Sequence, residues 1–208
     1  MLIDDLKGVY NPNEPIFVSD LLPQYDISKA ALSQQLKTLS KNGHLAKYED
    51  GIYYIPVKES EKIYTGPTAE TVAQYKYISD GRETRGYYSG NKFANMIGIT
   101  DQVPRIVEIV TNNTNSSPRD INIGRRIFHI SKSRQQITEQ NVRTLQFLDL
   151  LSNIDRYMDG TFGEARESVE EYIVENGITK NMIDMYIREF PIAVFRNYFE
   201  MRLDDVLT

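Results

Sequence analysis

The chain has 208 residues, of which 40% are hydrophobic and 25% charged, and a formal net charge of −5. That composition is ordinary for a globular protein of one to three domains. Cysteine is absent, which excludes a disulfide framework and any thiolate metal site. No apolar run reaches the length needed to span a bilayer. Residues 1–7 contain Asp4 and Asp5 and lack an apolar signal core, so a cytoplasmic location without membrane partners is expected.

The charge is unevenly spread. Residues 1–58 hold 6 basic and 7 acidic groups (−1), residues 59–136 hold 11 and 8 (+3), and residues 137–208 hold 7 and 14 (−7). Such asymmetry points to different faces or partners.

In chain order, Phe17 and Val18 are apolar, Ser19 is placed to cap a short helix, and Pro23 is expected to stop it. Ser28 is placed to cap a second helix, Lys29 to Asn42, and Gly43 to end it. His44–Tyr48 and Ile52–Ile55 flank Glu49-Asp50-Gly51, a strong hairpin signal. Two helices followed by a β-ribbon is the order of a winged helix-turn-helix, assigned here to residues 1–58.

The second helix has two faces. Leu32, Leu36 and Leu39 form a stripe expected to pack on the preceding helix. The opposite arc carries Ala30, Ser33, Gln34, Lys37 and Lys41, with Lys29 in the first turn and no carboxylate. Gln34 and Ser33 suit base edges. Lys37 and Lys41 suit phosphate. Lys47, Gly51 and Tyr53 of the wing are expected to touch the adjacent backbone or minor groove. A plain solvated face and a protein-interaction module remain the alternatives for this pattern.

After a polar seam at Pro56-Val57-Lys58-Glu59-Ser60-Glu61, the pattern predicts a small mixed α/β domain over 59–158. Thr68 opens a helix to about Ile78, Tyr87-Tyr88 is extended, and Gly90–Ile97 is a short helix closed by Gly98. Arg105–Thr111 is the clearest strand, and Ile121–Ile123 with Ile127–Ile130 read as an antiparallel pair around Gly124. Thr138 opens a helix running to about Met158. Tyr88, Phe93, Met96 and Ile97 are expected in the core.

Residues 159–208 read as an acidic helical extension packed on the middle domain. Thr161 and Glu164 have capping-box spacing, and Gly177 ends that helix. Thr179 caps the next, with Ile183 and Ile187 turned inward, and Pro191 breaks it. Phe195, Phe199 and Leu203 stripe a last helix over Ile192–Val206. The predicted class is therefore α+β: an N-terminal winged helix-turn-helix, a small mixed α/β middle domain and a C-terminal helical extension.

Chemistry-bearing motifs are sparse. His44 and His129 have no ligand spacing to another His, so no metal or other cofactor is expected. No phosphate-binding glycine loop or nucleophile elbow occurs. Asp101 with Glu108 is a faint nuclease-like carboxylate pair, but the lysine expected two residues on is missing. Arg82, Arg85, Lys92, Arg105, Arg125 and Arg126 form a candidate phosphate-binding patch, the alternative being a scattered solvated surface. Asp101 and Gln102 read as loop-stabilising residues.

The segment Gly86-Tyr-Tyr-Ser-Gly-Asn-Lys-Phe-Ala-Asn-Met-Ile-Gly-Ile-Thr-Asp-Gln-Val-Pro104 resembles the AbiEi antitoxin family, as does the wing strand Gly51-Ile-Tyr-Tyr-Ile-Pro56. The resemblance covers residues 15–158 and makes 59–158 an AbiEi-like antitoxin domain. It implies a transcriptional autorepressor and antitoxin of a type IV toxin–antitoxin, or abortive phage-infection, system. Inverted repeats in the protein's own promoter would be the operator, bound by paired protomers. The functional partner would be a nucleotidyltransferase-like toxin, with no direct contact required. The acidic extension after Met158 departs from the family pattern. The reading from the residues alone is a non-catalytic DNA binder. Its rival is an adaptor that docks its acidic helices on a basic partner.

Overall fold

The computed structural model describes residues 2–57, 66–115 and 117–207. Residues 58–61 of the polar seam expected at 56–61 lie outside them. The architecture is mixed α and β, with nine α-helices and two small sheets among the described residues. The chain divides into two compact units, Met1–Val72 and Ala73–Thr208, and the division falls within helix α4, Ala69–Tyr77.

The first unit contains α1 (Leu2–Val9), β1 (Ile16–Phe17), α2 (Val18–Leu21), α3 (Lys29–Lys41) and the hairpin β2 (Ala46–Glu49) and β3 (Ile52–Tyr54). Ser28 caps α3, its Oγ accepting from Ala31 N–H at 3.2 Å. Gly43 follows the helix with φ of +72°, a conformation only glycine adopts without strain. β1 adds antiparallel to β3, giving the order β1-β3-β2. Leu32 and Leu36 are fully buried in a core with Ile3, Leu6, Val18 and Leu21, so the helix stripe does pack on α1 and α2.

One expectation here needs correction. The short helix starts at Val18, not after Ser19, because Phe17 occupies the cap position and the Ser19 hydroxyl turns to Asp20. The α-helix does stop early, at Leu21, and Pro23 sits at the start of a 3-10 turn, Leu22–Gln24, where its missing N–H is not needed.

The second unit is built on a four-stranded sheet of β4 (Gly86–Ser89), β5 (Ile106–Thr111), β6 (Arg119–Ile123) and β7 (Arg126–Lys132), in the order β4-β5-β7-β6. The expected β6–β7 hairpin forms, pairing Ile121 with Phe128. β5 and β7 run parallel, a pairing no local pattern announces. Helices α5 (Gly90–Met96) and α6 (Val142–Leu151) pack on β4 and β5. Helices α7 (Phe162–Glu175), α8 (Lys180–Tyr186) and α9 (Ala193–Glu200) contribute Val169, Ile183 and Val194 to the same core as Phe93, Leu145 and Phe147.

The caps at Thr161–Glu164 and Thr179 are present as expected. The helix predicted from Thr138 begins only at Val142, because the Asn141 side chain accepts from Thr138 N–H and closes a separate turn. The predicted stripe Phe195-Phe199-Leu203 holds in part: Leu203 is fully buried and Phe195 packs against the core. Phe199 is 59% exposed, because within α9 it lies off the face that buries Val194, Asn197 and Tyr198. The regular helix ends at Glu200, and Arg202 follows with φ of +52°. Met96, expected in the core, is 54% exposed at the end of α5.

Candidate nucleic-acid interface

Because Leu32 and Leu36 point into the core, the helical period turns the rest of α3 outward. Lys29, Ala30, Gln34, Lys37 and Lys41 are exposed, and Ser33 is half-buried. The hairpin stands beside this face. Gly51, at φ of +81°, makes its tight turn, and its carbonyl accepts from Val18 N–H at 2.9 Å. Lys47 is exposed and bonds Asp50 across the turn. That ammonium holds the Asp50 carboxyl below the usual aspartate range, and Lys37 acts from α3 in the same direction. Lys37, Lys47 and Asp50 therefore share one local field. One correction follows for the hairpin. Tyr53 is 3% exposed and belongs to the core, because its register against Ile16 places its side chain inward. Lys47 is exposed and already paired with Asp50.

The six cations expected to form one phosphate patch lie in separate places. Arg85 is mostly buried and pairs with Asp80 at 2.7 Å and Glu83 at 3.2 Å. It precedes Gly86, opposite Thr111, with the exposed Arg82 nearby in sequence. Arg105, Arg125 and Arg126 instead stand at the other end of the sheet, where Ile106 registers with Ile127. The six residues of β5 between the two groups span about 20 Å. Lys92 lies 5.8 Å from the centre of the Tyr88 ring.

The Thr100–Pro104 element acts as a clasp. Thr100 Oγ1 donates to Asp159 Oδ2 at 2.5 Å, Asp101 N–H to the same oxygen at 3.2 Å, and Gln102 Nε2 to Oδ1 at 2.8 Å. These donors hold the Asp159 carboxyl below the usual range. They also fix the chain just before the capping box of α7. Sequence reasoning found the loop-stabilising role but not its partner, which lies 58 residues from Asp101 and has no local signal.

Another polar group was missed by sequence reasoning. Asp149 on α6 accepts from Ser89 Oγ at 2.5 Å. Burial raises its carboxyl, and Glu108 adds to the rise against the Ser89 bond and Arg134. A folded-state acid raised in this way favours its neutral form. Stability from this site is thus greatest below the ordinary aspartate value and falls as pH rises through the raised one. Asp149→Asn keeps an acceptor for Ser89 and removes the charge. Thermal melts should show the variant more stable than the parent at pH 7, with the advantage gone near pH 4. An advantage independent of pH would contradict this account.

Glu108 lies in β5, in register with Ser89 and His129. His129 Nδ1 pairs with Asp120 Oδ1 at 2.7 Å. Among the described residues no group of three or more His, Asp or Glu could hold a metal ion. No helix among them is long and apolar enough to cross a membrane.

A family described as of unknown function, DUF6088, matches residues 8–151, from within α1 to the end of α6, leaving α7 to α9 outside the match. Among curated proteins nothing matches.

Proposed function

We propose that the chain, which belongs to the DUF6088 family of unknown function, is a DNA-binding transcriptional autorepressor and antitoxin. In this reading the first unit is a winged helix-turn-helix. The observation that carries it is the outward face of α3: Lys29, Gln34, Lys37 and Lys41 are exposed, carboxylate-free, and set beside a glycine-turned hairpin. The α2–α3–hairpin order and the β1-β3-β2 sheet support the same reading. α3 would enter the major groove, with Ser33 and Gln34 at base edges and the lysines on phosphate. Arg105, Arg125 and Arg126 are a second, smaller phosphate candidate. The antitoxin role, the toxin partner and a cytoplasmic location rest on the AbiEi resemblance of residues 86–104 and 51–56. No catalytic step or cofactor is assigned.

Footprinting and gel-shift titration on the promoter upstream of the gene test this reading. Protection of an inverted repeat is expected, with log affinity falling linearly in log salt by about 0.9 per phosphate contacted. A flat salt response would sink the DNA role. Asp50→Asn sharpens the same experiment, because it releases Lys47 for phosphate. Affinity should rise about fivefold and the salt slope steepen by about one contact. Unchanged values would remove the hairpin from the interface.

A further inference from the structure

One face of α7 has no partner among the described residues. Glu167, Glu171 and Glu175 recur along it at one-turn spacing, and none forms an ion pair there; Arg166, the only cation of the helix, is taken by Glu170. Like charges one turn apart repel within a helix. Glu171 and Glu175 line a groove of about 250 Å³ whose other walls are Met96, Ile97, Ser168 and Tyr172. Met96 is 54% exposed and Val174, on the same helix, 71%. A mainly polar groove with an acidic rim and one exposed methionine suits a cationic helix with a slim outer face.

The chain carries such a helix. The outward face of α3 presents Lys29, Lys37 and Lys41 around the small side chain of Ala30, with no carboxylate. α3 and α7 have 13 and 14 residues, so each is about 20 Å long. Lys37 and Lys41 repeat at the same one-turn interval as Glu171 and Glu175.

We propose that the α7 groove of one copy receives the α3 face of a second copy. The lysine ammonium groups meet the α7 carboxylates, while their aliphatic stems lie on Met96 and Val174. The contact joins two different surfaces, so each copy offers one groove and one helix. Occupation of α3 by the groove and by DNA is mutually exclusive, a consequence that rests on the function proposed above.

Sedimentation equilibrium of the full chain tests the contact. At about 50 mM salt the average mass should rise with concentration, and about 500 mM salt should weaken the association at least tenfold. Glu171→Lys with Glu175→Lys, and separately Lys37→Glu with Lys41→Glu, should each abolish self-association. Mixed one to one, the two variants should associate again, because each then meets opposite charge at both contacts. Asp184→Lys with Glu189→Lys, which changes charge by the same amount on exposed positions away from the groove, should associate as the parent does. A parent that stays monomeric, groove variants that still associate, a mixture that does not, or an equally impaired control would overturn the proposal. Promoter binding is read separately. The Glu171→Lys/Glu175→Lys variant should bind DNA at least as tightly as the parent. Charge-swap rescue without any promoter binding would remove the DNA reading and leave the self-contact standing.

Discussion

Lys37→Glu combined with Lys41→Glu should lower affinity for promoter DNA by about two to three orders of magnitude near 0.1 M salt, while leaving the fold intact. Each substitution removes a cation from the phosphate track and places a carboxylate there. At about 1.5–2 kcal/mol per reversal, the pair reaches that range. The salt slope should fall by about two contacts, because the released counterions are no longer displaced. Lys37→Glu also sets a negative charge beside Asp50, where Lys37 now offsets that carboxylate. Stability should hold because both side chains are exposed, and α3 is anchored by the fully buried Leu32 and Leu36 and capped by Ser28. Fluorescence anisotropy with a labelled operator, alongside a thermal melt, checks both halves. Parent-like affinity in a folded double variant would show that α3 does not read the duplex.

Gly86→Ala should destabilise the second unit by about 3 kcal/mol or more. The reason is close approach rather than backbone freedom. An added Cβ would lie 2.1 Å from the carbonyl oxygen of Tyr77 and 2.7 Å from that of Val110. Both obstacles are main chain, so no side chain can swing aside. Either the end of α4 moves or β4 separates from β5, breaking the register of Gly86 with Thr111. Gly90 offers the contrast. Its obstacle is the end of the Glu108 side chain, which can turn away, so Gly90→Ala should cost mainly the left-handed backbone at φ of +57°, roughly 1–2 kcal/mol. Urea unfolding followed by circular dichroism should rank parent, Gly90→Ala and Gly86→Ala in that order of midpoint. A Gly86→Ala midpoint equal to the parent's would mean the packing at this strand is looser than described.

The features legible from residue order are those set within one helical turn or one hairpin. Ser28, Thr179 and the Thr161–Glu164 box satisfy backbone groups three residues away, so their hydrogen bonds form wherever the chain goes next. Gly43 and Gly51 mark turns for the same local reason. The helical period then suffices to turn Leu32 and Leu36 one way and the α3 lysines the other.

Side-of-sheet and partner choices were settled only by contacts between distant residues. Tyr53 faces the core because β1 pairs with β3, and a pattern of consecutive aromatics in β3 does not say which face is covered. The arginines separate because β5 and β7 align in parallel and carry Arg105 and Arg126 to the end opposite Arg85. The Thr100–Gln102 clasp needs Asp159, and the Ser89 hydroxyl needs Asp149, each about sixty residues away. Phe199 lies outside because the core meets α9 along Val194, Asn197 and Tyr198, a choice of face that a helix with Phe195 and Phe199 on one side and Val194 and Tyr198 on the other does not itself decide. Local hydrogen bonding is encoded next to itself; burial depends on what arrives from elsewhere in the chain.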